Sequence, residues 1–231
     1  MRWSVAILTL YPEMFPGPLG VSLIGKALIE KIWTLDVHDI REHGIGRHRK
    51  VDDTPAGGGP GMVLRADVAL AALDSVARDG RPVIYLSPRG APLTQSRVAS
   101  LAQGRGAILL CGRFEGLDER AIEARQIEEV SLGDFVLAGG EIAAMALIEA
   151  VVRLLPGVLG DASSAADESF ASGLLEYPHY TRPQDVEGLA IPDVLNQGNH
   201  KEIAKWRRQR AEQLTKARRP DLWALYEKSK R

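Results

Sequence analysis

Residues 55–61 hold four glycines and two prolines, directly behind the adjacent acids Asp52 and Asp53. A backbone this open is common in phosphate cradles. The stretch fits neither phosphate fingerprint, however. No lysine follows it, and Met62 stands where the third glycine of G-x-G-x-x-G belongs. A second candidate, residues 20–27 (GVSLIGKA), spells G-x-x-x-x-G-K. There Ala27 replaces the hydroxyl residue that ligates Mg²⁺, and Leu23 and Ile24 fill the cradle. The five histidines (His38, His43, His48, His179, His200) show no H-E-x-x-H and no close pair at metal-ligand spacing, so no metal site is expected. Cys111, the only cysteine, ends an apolar run and reads as a packed side chain rather than a nucleophile. One cysteine excludes an intrachain disulfide and a Cys-based metal cage, and points to a reducing cytoplasm.

The elements that must carry these residues follow from apolar periodicity. Residues 5–10, 82–87, 107–112 and 128–133 are short strand-like runs. Residues 66–79, 94–104 and 116–126, between them, have apolar positions at helical spacing. The alternation predicts an α/β domain with a mostly parallel sheet. Residues 140–157 form a longer helical stretch, apolar on most faces, which ends before Pro156. A small, polar stretch at 160–173 reads as a flexible linker. The chain then reads as catalytic-sized domain 1–160, linker 161–172 and a basic helical domain 173–231. No run of about 18 apolar residues is present, so no membrane span is expected. The N-terminal apolar run has no small-residue cleavage site and reads as a first buried strand rather than a signal peptide.

The formal net charge of −1 conceals an asymmetry. Residues 197–231 contain 11 Lys and Arg against 4 acids, a formal +7, which leaves −8 on the rest. A basic end on an acidic body suits a polyanionic partner, although a solvated helix face has the same composition.

Four stretches occur in order: HRKVDDTPAGGGPGM (48–62), YLSPRG (85–90), CGRFEGLDER (111–120) and SLGDFVLAGGE (131–141). PHYTRP (178–183) and GNH (198–200) follow them. Together they resemble the bacterial tRNA (guanine37-N1)-methyltransferase family of the SPOUT superfamily, over nearly the whole chain. The resemblance implies a SPOUT-type α/β fold: a mostly parallel sheet with a deep trefoil knot, plus a small C-terminal helical domain. Periodicity does not show the knot. The resemblance also implies a homodimer with active sites at its interface, and S-adenosyl-L-methionine as cofactor, with Mg²⁺ as an assisting ion. Three loops would hold the cofactor. They match Tyr85, Leu86, Ser87 and Pro88; then Gly112, Arg113, Phe114, Glu115 and Gly116; then Leu132, Gly133, Phe135, Leu137, Gly139 and Gly140. Each follows a strand-like run, where α/β sheets usually place ligands. Their glycines are expected to let the backbone approach an adenine edge and ribose.

Methylating guanine N1 requires an in-line geometry, a base for the N1 proton and a cation for the charge that grows on O6. The resemblance assigns the cation to Arg153, for which an interface salt bridge is the competing reading. It assigns the base to the residue before a serine in the linker. By register that is Glu168, before Ser169 and Phe170, with its neighbour Asp167 as the alternative. The glycine loop (Asp52, Gly57, Gly58, Gly59, Gly61) would lie against the flipped-out base. Ser169, His179, Asn199 and His200 would contact the tRNA anticodon stem-loop, or His200 would cap the tail helix. Trp206, Trp223 and Tyr226 would either form a small core or stack on bases.

Rival readings are another SPOUT RNA methyltransferase, acting on ribose 2′-OH or ribosomal RNA; a non-catalytic RNA-binding protein; and a phosphate-binding metabolic enzyme. The tail separates the last from the others. RNA affinity is expected to fall steeply with salt, and removal of residues 197–231 to cost RNA binding while sparing cofactor binding. A flat salt response in a filter-binding titration would contradict phosphate gripping.

Overall fold

The computed structural model describes residues 2–160, 168–170 and 172–230, in two compact units, Met1–Gly160 and Asp161–Arg231. Most of the stretch read as a linker, residues 161–167 and 171, lies outside the described residues.

The first unit is built on five parallel strands: β1 (Trp3–Thr9), β2 (Trp33–Asp39), β5 (Val83–Pro92), β6 (Gly106–Leu110) and β7 (Glu128–Ser131), in the order β2-β1-β6-β5-β7. A short antiparallel ladder, β3 (Asp52–Asp53) with β4 (Val63–Leu64), closes the base of the glycine loop. Alternate residues of the central strands feed two cores. On one face Val5, Ile7, Ile84, Leu86 and Leu109 pack with α1 (Ser22–Ile29), α3 (Gln95–Gln103) and α5 (Glu141–Val152). On the other, Ala6, Leu8, Tyr85, Ile108 and Leu110 pack with α2 (Ala66–Asp74) and α4 (Glu119–Arg125). Burial on both faces explains why these strands read as continuous apolar runs.

Three expectations are revised. β2 was not anticipated. It is the edge strand and only Trp33 is fully buried, so its apolar Trp33, Leu35 and Val37 alternate with Thr34, Asp36 and His38. The strand expected at 82–87 continues to Pro92. Its register against β7 shifts between Leu86 and Ala91, so residues 87–90 bulge out of the ladder. The helix expected over 140–157 stops at Val152, where Leu154 and Leu155 turn to i→i+3 bonds on Val151 and Val152, ahead of Pro156. The P-loop-like stretch is ordinary structure: it enters α1 at Ser22.

The second unit contains a small hairpin, β8 (Asp185–Val186) with β9 (Leu189–Ala190), and two helices, α6 (His200–Arg218) and α7 (Pro220–Ser229). Pro220 has no N–H to lose at the first helical position, so it starts α7 as it ends α6. The second helix returns along the first. The Tyr226 hydroxyl accepts from Arg208 Nη2 at 2.9 Å and donates to Glu212 at 2.9 Å, and Lys230 reaches the same carboxylate at 3.1 Å. Leu174, Ala211 and Tyr226 form the core, with Tyr177 and Trp223 packed against it. Trp206 meets Tyr180 edge-on at 6.1 Å instead. Among the described residues no helix is long and apolar enough to cross a membrane.

Trp33 ties the edge strand to α1, because its fully buried indole donates to the Ile24 carbonyl at 3.0 Å. Trp33→Ala should cost about 3–5 kcal/mol, the usual range for emptying an aromatic site. Trp33→Phe should cost about 1 kcal/mol for the lost hydrogen bond. Urea midpoints of the two variants check both the size and the order.

Candidate active site

The three glycine-bearing stretches meet at the C-terminal edge of the sheet. Tyr85, Leu86, Ser87 and Pro88 lie along β5 as it bulges. Gly112, Arg113, Phe114, Glu115 and Gly116 follow β6. Leu132, Gly133, Phe135, Leu137, Gly139 and Gly140 follow β7 and lead into α5. All fifteen line one cleft of about 360 Å³. Arg89, Leu117, Val130, Ser131, Val136, Ala138 and Ala143 complete its wall. Of these Arg89, on β5, pairs with Glu119 of α4 at 2.8 Å and with Glu129 of β7 at 3.1 Å.

Chain packing also demands glycine at two of these positions. A Cβ on Gly140 would stand 2.9 Å from the Cys111 Cα, and one on Gly139 would stand 2.2 Å from Arg113 Nε. The Gly140 N–H donates to the Gly112 carbonyl at 2.9 Å. With these positions bare, the loops lie against each other where they line the cleft.

A buried ion pair holds the same junction. Glu141, the first residue of α5, is 1 % exposed. Its Oε1 accepts from Thr9 Oγ1 at 2.8 Å and from Arg113 Nε at 3.2 Å. Its Oε2 lies 2.8 Å from Arg113 Nη2, out of hydrogen-bond alignment. The Arg113 guanidinium also stands 4.3 Å over the Tyr11 ring. The carboxylate gains further from its place at a helix N-terminus. No sequence rule pairs residues 28 apart, so this pair was missed, and Arg113 was read only as a ligand contact. The nearby Cys111 thiol is pushed well above its usual pKa, first by burial and then by the Glu141 charge, which makes it a poor nucleophile. Burial likewise raises the Tyr85 phenol.

The glycine loop is attached to this cleft. The Glu115 N–H donates to the Met62 carbonyl at 2.9 Å, and the Leu64 N–H donates to that of Gly116 at 2.9 Å. A Cβ on Gly61 would strike the Glu115 side chain at 2.3 Å. Gly57, Gly58 and Gly59 have φ of +88°, +83° and +125° with nothing near a Cβ, so backbone conformation alone demands glycine there. Asp52 is half-buried at the loop's base. Its neighbour Asp53 carries the ion pairs, with Lys50 at 3.0 Å and Arg65 at 3.2 Å, and the Lys50 hydrogen bond leads in lowering its pKa.

Arg153 is half-buried and caps the C-terminus of α5. It continues the helix stripe of Ile142, Ala146 and Glu149, all exposed. In the second unit, Glu168 is half-buried beside Ser169, whose Oγ accepts from the Glu176 N–H at 3.0 Å. His179 Nε2 lies 2.8 Å from the Glu176 carboxylate. Asn199 caps α6 by accepting from the Glu202 N–H at 3.4 Å, so the capping considered for His200 belongs to its neighbour. His200 is the exposed first residue of that helix. Asp167 lies outside the described residues.

Comparison with known proteins gives the family. A family model described as tRNA (Guanine-1)-methyltransferase TrmD matches residues 2–225. A tRNA (guanine-N(1)-)-methyltransferase of Nitrobacter winogradskyi is 64 % identical over 225 residues, covering 97 % of this chain and 94 % of that protein. Proteins of the same name from Brucella ovis and Brucella melitensis biotype 1 are 63 % identical over 230 residues, covering 100 % of this chain and 95 % of theirs. Matched nearly end to end by both the family model and these relatives, the chain belongs to the tRNA (guanine-1)-methyltransferase family, TrmD.

Proposed function

We propose that this chain methylates N1 of guanine 37 in tRNA, with S-adenosylmethionine held in the cleft at the C-terminal edge of the sheet. The observation that carries the reading is the convergence of three separate stretches on one cleft. Its volume of about 360 Å³ falls in the range of small-molecule sites. Leu86, Val130, Leu137 and Ala143 give it apolar wall for a purine, and the bare backbone at the glycines offers donors and acceptors to polar groups. When bound, S-adenosylmethionine supplies a methyl group on a positively charged sulfur.

The protein's own tasks are to hold the guanine in line and to manage one proton and one developing charge. Gly57, Gly58, Gly59 and Gly61 let the 51–62 loop follow a base taken out of the anticodon-loop stack, with Asp52 at its foot. Glu168 accepts the N1 proton as the base. Arg153 stabilises the charge left on O6 through its planar fork of donors. The basic helices α6 and α7 bind the anticodon stem-loop through phosphates, with His179, Asn199 and His200 on the RNA side. A second copy of the chain covers the Ile142–Ala146 stripe of α5, so that Arg153 lies at a homodimer interface. The knotted chain path and the roles of the two domains are part of the same family reading, as is a cytoplasmic setting. Mg²⁺ would act as an assisting ion; among the described residues no three His, Cys, Asp or Glu side chains converge as a metal site.

Two measurements test the reading. Gly139→Val should push Arg113 off Glu141 and lower S-adenosylmethionine affinity at least tenfold in calorimetry, with circular dichroism unchanged; equal affinity would remove the cleft from cofactor binding. Single-turnover methylation of unmodified tRNA, with RNA and cofactor saturating, should fall by roughly 10² to 10⁴-fold in Glu168→Gln and by about 10²-fold in Arg153→Lys. Asp167→Asn should stay within a few-fold of wild type. The reverse pattern at 167 and 168 would move the base to Asp167, and full turnover by Arg153→Lys would end its O6 role.

A further inference from the structure

The first unit has a second concavity, on the opposite edge of the sheet from the cleft. It occupies about 480 Å³ at the N-terminal ends of β5 and β6, between the turn that precedes β5 and one side of α3. Arg78, Arg81 and Arg97 line it, and Gly104 and Gly106 bring Arg105 to its rim. The acids nearby are Glu128, bound to Arg97 through Nε at 2.8 Å, and Asp79, exposed in the turn. Four arginines against two acids leave a formal surplus of two positive charges, in a unit (residues 1–160) with 17 Lys and Arg against 19 acids.

Arg81 is the anomaly. It is only 8 % exposed, yet it pairs with no carboxylate among the described residues. Nη1 reaches the Ser4 hydroxyl at 3.3 Å, Nη2 donates to the Ala77 carbonyl, and buried Nε has no partner. Charges are rarely buried this deeply without a counter-charge, because desolvation outweighs what neutral acceptors return. The turn beside it is closed by the Arg81 N–H on the Arg78 carbonyl at 2.7 Å, with left-handed Asp79 and Gly80 between them at φ +47° and +76°. Arg78 and Arg105 also form no ion pair among the described residues; Arg105 reaches only the Asp79 carbonyl, at 3.4 Å.

We propose that this groove binds a phosphate oxyanion, which supplies the counter-charge that Arg81 lacks. A tetrahedral polyanion with several acceptor oxygens matches converging guanidinium donors better than a single carboxylate does. β6, which runs from this edge to the cleft, is five residues long, roughly 17 Å, so the groove is a separate site. The phosphate comes either from an RNA backbone or from a free phosphorylated small molecule. The proposal stands independently of the methyl-transfer reading, since it uses none of the cleft residues.

Inorganic phosphate is the first probe, titrated into the full chain against chloride at equal ionic strength. Wild type should show saturable ³¹P line broadening in the millimolar range. Arg81→Met, which keeps the apolar stem, should abolish it, and the exposed Arg78→Gln should weaken apparent affinity at least threefold. If Arg81→Met does not fold, Arg78→Gln alone decides. Equal broadening in wild type and Arg78→Gln, or none in wild type, overturns the site. A second arm identifies the source. Arg78→Gln/Arg105→Gln should reduce the slope of log tRNA affinity against log salt by about 2 if RNA supplies the phosphate. An unchanged slope with the phosphate response intact assigns the groove to a free phosphorylated ligand.

Discussion

A carboxylate buried at the head of α5 governs this molecule's cleft. Glu141 is removed from water almost completely, and an unpaired charge there would cost several kcal/mol. Thr9 at the end of β1 and Arg113 after β6 meet it. The cost of burial therefore becomes a requirement that three chain segments, far apart in sequence, arrive together. Gly139 must then lack a side chain, since Arg113 occupies the space. Gly140 must lack one because the loop after β6 lies directly on it. The cleft is what remains between segments so fixed.

Much of this architecture was legible in advance because parallel strands buried on both faces are simple to read. The runs at 5–10, 82–87, 107–112 and 128–133 all became strands. β2 escaped because an edge strand buries little: its charged and polar alternation resembles a surface segment as much as a strand. Helix ends were overextended where apolar residues continue past the last i→i+4 bond, as at Leu154 and Leu155. The site was legible as a set of positions but not as a set of contacts. Arg113 reads as a loop cation in sequence; only the fold reveals that Glu141 and Tyr11 engage it. The same limit hid Asn199, whose side chain takes the cap considered for His200.

The two units are stabilised by different means. The first has two apolar cores, one on each face of the sheet. Among the described residues the second has Leu174, Ala211 and Tyr226 at its centre, and supplements them with a network in which Glu212 receives Tyr226, Arg208 and Lys230. In a body this small, charge–charge contacts do a share of what apolar burial does in larger ones. The basic residues that give this unit its +7 tail are thus partly committed to holding it together, and not all of them face outward as free cations.

The glycine loop is anchored at both feet, by the β3–β4 ladder and by the Met62–Glu115 hydrogen bond. Between these anchors only residues 54–61 are at liberty. Eight residues doubled back on themselves form a flap of four, and an extended residue spans at most about 3.3 Å, so the tip can rise roughly 13 Å from its base. That figure is a ruler fixed in the molecule. Whatever Gly57, Gly58 and Gly59 touch must come inside a hemisphere of that radius, centred beside Glu115. Anything beyond that volume is out of the loop's reach by chain length alone, whatever its chemistry.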